Sequence, residues 1–144
     1  MTKRTAEDTL AIQQVVAAYG HAIDDRDWDA FGDLVTEDVL IDYRNHDVEP
    51  PAGNGPYRGR DQVLAALSGE LMKAHPVQHV LVSHLVEDVG EDEVMVRSKG
   101  LFPIGSDFLI ANVGYRIGVR RTPDGWRIAR RRFTTVRVAT VGQG

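Results

Sequence analysis

Histidine and aspartate carry the chemistry open to this sequence, because a carboxylate that holds one imidazole nitrogen leaves the other free to take a proton. Of the five histidines, His21 falls in a helical pattern, His46 in a loop, His75 just before Pro76, and His79 and His84 in the first long strand pattern. Strand alternation groups His79 with Leu81, Ser83 and Leu85, and His84 with Val80, Val82 and Val86. Both faces are apolar, so either ring also reads as a satisfied core histidine, and a catalytic role needs a partner carboxylate. Asp24 is the candidate partner: it ends the first helix, five residues after Tyr19, beside the core-facing Ile23. With Asp25 and Asp27 it equally fits a solvated turn that caps the next helix.

Other chemistries lack their residues. The chain has no cysteine, which removes disulfides, thiolate metal sites and cysteine nucleophiles. It shows no phosphate-cradling glycine loop, no Gly-x-Ser-x-Gly elbow and no His-Glu-x-x-His spacing. No metal or cofactor is expected. A net charge of −4 argues against nucleic acid or an anionic membrane as partner. The charge is uneven, with ten acidic residues between 24 and 49 and eight arginines between 116 and 137, as in faces that attract each other or an oligomer neighbour. With no secretory pattern at Met1-Thr2-Lys3-Arg4 and no apolar run of membrane length, a cytoplasmic protein is expected.

The elements that must position these groups follow from periodicity. Thr5-x-x-Asp8 resembles a capping box and opens a helix with Ile12, Val15, Val16, Tyr19 and Ile23 on one stripe, running to about Asp24. A shorter helix capped by Asp27 carries Trp28, Phe31, Leu34 and Val35. Residues 39–43 read as a strand and 44–58 as loop, and a third helix from Arg60 buries Val63, Leu64, Leu67 and Leu71. Residues 77–89, 93–102, 108–122 and 126–138 read as strands separated by turn residues. The expectation is one α+β domain over 1–144, with the helices covering one face of a sheet. Most aromatics belong to the core, and pocket lining is assigned to Tyr43, Trp28, Phe102 and Tyr115.

Four strings in order resemble the SnoaL-like branch of the nuclear-transport-factor-2-like superfamily. They are Tyr19-Gly-His-Ala-Ile-Asp24-Asp-Arg-Asp-Trp28-Asp-Ala-Phe31, Tyr57-Arg-Gly59-Arg-Asp61, Gln78-His79-Val80 and Asp124-Gly-Trp126-Arg-Ile128-Ala-Arg-Arg131. The resemblance implies a cone-shaped, strongly curved mixed sheet wrapped around three helices, with an apolar pocket at one end. The functional relatives it suggests are scytalone dehydratase, bile-acid 7α-dehydratase and hexachlorocyclohexane dehydrochlorinase. It carries the helix-one aspartate of such sites onto Asp24, the strand histidine onto His79 and a helix-one tyrosine onto Tyr19. The last-strand arginine falls on Arg130 or Arg132, which share parity with Trp126 and Ile128, or on Arg131 if a bulge intervenes; Arg130 is the choice. A further polar residue used by some dehydratases has no clear match among Ser98, Lys99 and Gly100.

The implied activity is a cofactor-independent elimination or isomerisation of a small apolar cyclic substrate by a His–Asp dyad, with Tyr19 or Tyr43 as donor to oxygen. A polyketide-type cyclase and a non-catalytic small-molecule binding module are the alternatives. Apolar residues on the outer sheet face, read as Val80, Val82, His84 and Val86, lead to the expectation of a homodimer or homotrimer.

Overall fold

The capping box at the start of the first helix forms in full. In the computed structural model, which describes residues 3–69, 78–104 and 109–140, the Thr5 hydroxyl accepts from the Asp8 amide at 3.0 Å and the Asp8 carboxylate accepts from the Thr5 amide at 2.8 Å. Asp8 also accepts from Arg121 at 2.9 Å and from the Trp126 indole at 3.1 Å. The Arg121 guanidinium, followed by the Thr5 amide and the indole, holds its carboxyl well below the usual carboxylate range. One carboxylate therefore ties the start of α1 (Ala6–Asp24) to the last hairpin.

The α1 stripe is the expected one, with Ile12, Val16, Tyr19 and Ile23 buried. Asp27 caps α2 (Trp28–Leu34) by accepting from the Ala30 amide at 3.0 Å. The chain then passes directly into β1 (Val35–Asp42), a strand that begins earlier than its β-rich residues suggest, because Val35 pairs with Ile128. Tyr57–Arg58 forms β2, and Arg60–Ser68 forms α3, which buries Val63 and Leu67. Leu71, His75 and the start of the 77–89 segment lie outside the described residues.

Four long strands complete the sheet: β3 (Val80–Asp88), β4 (Glu93–Ile104), β5 (Leu109–Thr122) and β6 (Gly125–Thr140). The order is β2-β1-β6-β5-β4-β3, with β1 and β6 parallel and the other pairs antiparallel. This is an open six-stranded mixed sheet with β2 and β3 as its edges, covered on one face by helices. Tyr19 and Phe31 from the helices meet Val96, Tyr115, Ile117 and Ile128 from the sheet in one core. No described helix is long and apolar enough to cross a membrane.

Bulges break the strand alternation where it matters. In β3 the partners pass from Val82↔Lys99 to Leu85↔Arg97, one extra residue, and Ser83 takes a left-handed φ of +58°. Leu81, His84 and Val86 consequently turn toward the core, while Val80, Val82 and Leu85 stand exposed. The outward apolar set is thus not the one that plain alternation gives: His84 and Val86 leave it and Leu85 joins it. In β6, Ile128 faces Val119 and Arg130 faces Gly118. The extra residue is Ala129, so Ile128 and Ala129 are both buried and parity shifts by one.

Candidate active site

Asp24 and His79 come from elements far apart in sequence and meet where the end of α1 faces the start of β3. The Asp24 carboxylate is engaged at both oxygens by one residue: Oδ1 lies 2.5 Å from His79 Nδ1, and Oδ2 accepts from the His79 amide at 2.8 Å. An ionised carboxylate only accepts, so Nδ1 carries the proton and Nε2 keeps its lone pair. The ring is packed against Phe102, with centroids 5.7 Å apart. Burial, reinforced by the charge of Arg131, lowers the His79 pKa below the ordinary histidine value, outweighing the opposing effect of Asp24. The resting imidazole is therefore neutral near pH 7, as a base must be.

A second cluster surrounds Arg131. Its guanidinium carbon lies 4.6 Å from the Tyr115 ring, 4.9 Å from Phe133, 5.0 Å from Tyr43 and 5.4 Å from Tyr19. Arg131 is only 3% exposed. Burial works against its charge, yet an arginine so basic remains a cation throughout the working pH range. Tyr19 and Tyr43 approach hydroxyl to hydroxyl at 3.5 Å. Burial pushes the Tyr43 and Tyr115 phenols up, so both stay protonated and able to donate.

Arg130, the arginine chosen from strand parity, lies elsewhere. It is exposed and pairs with Glu93 at 3.2 Å, because the Ala129 bulge hands the inward position to Arg131. Trp28 packs half-buried against the core at the start of α2 and is not one of the rings over Arg131. Tyr19, Tyr43 and Tyr115 do gather there, and Phe102 lies on His79. Sequence reading placed Phe133 in the core without seeing its contact to Arg131. It also left unpaired a polar couple, His84 Nδ1 and the buried Ser98 hydroxyl, 2.7 Å apart; only the Ser83 bulge brings them together.

A cleft of about 450 Å³ opens at the seam of α1 and β3 and is lined by Gly20, His21, Asp24, Gln78, His79 and Leu81. A larger hollow of about 640 Å³ lies on the outer sheet face among Arg97, Lys99, Arg116 and Arg137. The larger one holds no acid–base pair, whereas the smaller opens beside Asp24 and His79. Among the described residues no group of three His, Asp or Glu side chains is arranged to hold a metal ion.

Comparison with known proteins agrees with this architecture. An uncharacterized protein of Mycobacterium tuberculosis is 30% identical over 129 residues, 86% of this chain and 82% of that protein. A crystal structure from Novosphingobium aromaticivorans, provisionally described as a scytalone dehydratase, superposes with a TM-score of 0.74 at 23% identity, covering 100% of this chain and 99% of that one. Hexachlorocyclohexane dehydrochlorinase LinA-type3 from Novosphingobium barchaimii gives 0.74 at 16% identity over 97% and 98%. These two structures support the fold alone. The family model described as the SnoaL-like domain matches residues 4–132, and the chain belongs to that family.

Proposed function

We propose that this protein is a cofactor-independent lyase or isomerase that removes a carbon-bound proton from a small cyclic substrate, with His79 as the base. The observation that carries this reading is the Asp24 carboxylate held at both oxygens by the ring and amide of His79. That arrangement fixes the ring, its tautomer and the free Nε2, and it supplies a counter-charge for the imidazolium that forms. Solved neighbours of dehydratase and dehydrochlorinase type share the fold.

In an elimination, the proton from carbon passes to His79 Nε2 and the C–H electron pair becomes the new C=C bond. The C–O bond on the neighbouring carbon breaks, and its oxygen leaves as water with a proton from Tyr19 or Tyr43. The tyrosine is then reprotonated from the imidazolium, directly or through solvent. In an isomerisation the same base returns the proton to another carbon.

The test is a panel of cyclic β-hydroxy ketones, with the conjugated enone followed by absorbance and solvent deuterium uptake into recovered substrate followed by mass spectrometry. Wild type should show turnover or exchange. His79→Ala should lose about two to four orders of magnitude in rate, the usual worth of a positioned base, with an unchanged melting curve. Full activity in His79→Ala would refute the assignment.

A further inference from the structure

We propose that the socket around Arg131 binds a carboxylate, so that the substrate is a ring-bearing carboxylic acid and not a wholly apolar ring. The substrate assignment rests on the catalytic reading above; the binding of a carboxylate does not.

Arg131 is a buried cation with no counter-ion among the described residues. Its Nε and Nη1 are buried with no acceptor in hydrogen-bond geometry, and the Tyr115 hydroxyl, near enough to interact with the guanidinium, is buried and makes no well-formed hydrogen bond either. No acid among the described residues forms an ion pair with it. Asp24, close enough for its charge to act on Tyr115, has both oxygens engaged by His79. The four rings at 4.6 to 5.4 Å offer π-electron density to the cation but do not replace acceptors for N–H donors that lie in the guanidinium plane. A buried, unpaired charge is costly, and buried polar groups in folded proteins almost always have partners.

The unmet groups define the ligand. Two guanidinium N–H groups and one phenol that burial keeps protonated call for a group that only accepts, with several lone pairs in one plane. A carboxylate has that shape and meets an arginine fork two bonds at a time. Its charge must be present in the ground state, because Arg131 is charged before any reaction begins. Charge that merely develops on a ketone oxygen during reaction would leave the socket unpaired at rest. Tyr43 and Tyr115 each pack against Phe133 around the cation, so a ring attached to that carboxylate would meet aromatic surface. Arg131 also acts on the His79 charge, so a ring anchored on Arg131 lies within the field of the base.

Calorimetric titration of the wild-type protein with benzoate and with its neutral isostere benzamide tests the proposal. Benzoate should bind at least about tenfold more tightly. Arg131→Met, which replaces an unpaired buried cation by an apolar chain and is expected to fold, should erase the difference, and Arg131→Lys should restore part of it. Independently of any variant, bound benzoate should raise the His79 pKa, read by NMR of the labelled ring, because it cancels a charge that lowers it. Equal affinity for benzoate and benzamide, or a benzoate affinity unchanged in Arg131→Met, would overturn the proposal. The two readings fail separately. Benzoate binding without proton abstraction from any ring carboxylic acid sinks the catalytic reading and leaves the socket. Elimination from neutral ketones without benzoate preference does the reverse.

Discussion

Replacing Asp24 by Asn keeps the shape of the side chain, removes its charge and forces a rearrangement of the hydrogen bonds to His79. The His79 amide donates to one carboxylate oxygen at 2.8 Å, while Nδ1 faces the other at 2.5 Å. An amide has one oxygen, and the backbone N–H, which can only donate, claims it. The Asn NH₂ must then face Nδ1, which becomes the acceptor, and the proton moves to Nε2, the nitrogen that should act as base. The imidazolium also loses its counter-charge. For charge centres about 4 Å apart at an effective dielectric near 20, that loss is about 4 kcal/mol, or roughly three orders of magnitude in rate. Tautomer inversion adds to it, so the fall should be at least about a thousandfold.

The sign of the pH effect is set by the same geometry. Burial already holds the His79 pKa below its ordinary value of about 6.5, so the acid limb of activity should lie below pH 6.5 in wild type. Asp24 opposes that shift; without it the pKa falls further, and the residual activity should persist to lower pH. NMR of ¹⁵N-histidine-labelled protein reads both tautomer and pKa without a substrate, and a pH–rate profile reads the limb. An Asp24→Asn protein with Nε2 still unprotonated, an unmoved limb and a nearly intact rate would show that these residues do not work together.

Two substitutions test the scaffold. A Cβ at Gly100 would sit 2.5 Å from Tyr115 Cε2 and 3.1 Å from Val113 Cγ2, so Gly100→Ala should destabilise by about 1–3 kcal/mol in chemical denaturation through overpacking; unchanged stability would mean that the Tyr115 ring is free to move. Ser83 holds a left-handed φ of +58° in its bulge, and Ser83→Gly should therefore raise stability by up to about 1 kcal/mol. A lower midpoint would show that the serine side chain, and not its backbone strain, matters there.

The meeting of Asp24 and His79 was legible because neither residue depends on long runs of alternation. Asp24 is placed by the α1 stripe, where Tyr19 and Ile23 fix the buried side, and His79 sits just ahead of β3, before the Ser83 bulge can alter parity. The capping box and the order of the later strands were legible for a similar reason: local hydrogen bonds and turn residues announce them. For Trp28, expected as pocket lining, aromatic character alone does not say which wall of the core a short helix will face; it packs half-buried against the core. The start of β1 was missed because Val35 is drawn into the sheet by its partner Ile128, a contact nearly a hundred residues away in sequence.

The arginine was beyond sequence reading in a more instructive way. Arg130, Arg131 and Arg132 are chemically identical neighbours, and only strand parity distinguishes them. Parity is set by Ala129, a residue with no bulge signature of its own, whose doubling against Gly118 and Val119 exists only once β5 and β6 are paired. Plain alternation would have turned Arg130 and Arg132 inward beside Ile128 and left Arg131 in solvent. The one-residue slip leaves Arg130 on the surface, where Glu93 can meet it, and drives Arg131 beneath three tyrosines and a phenylalanine, with no acid paired to it among the described residues. A protein selected for stability alone would gain by placing an apolar residue at that position. Keeping a cation there, aimed by a bulge toward the same interior as the histidine, is what the proposed carboxylate accounts for, because it would arrive from outside and complete the pair.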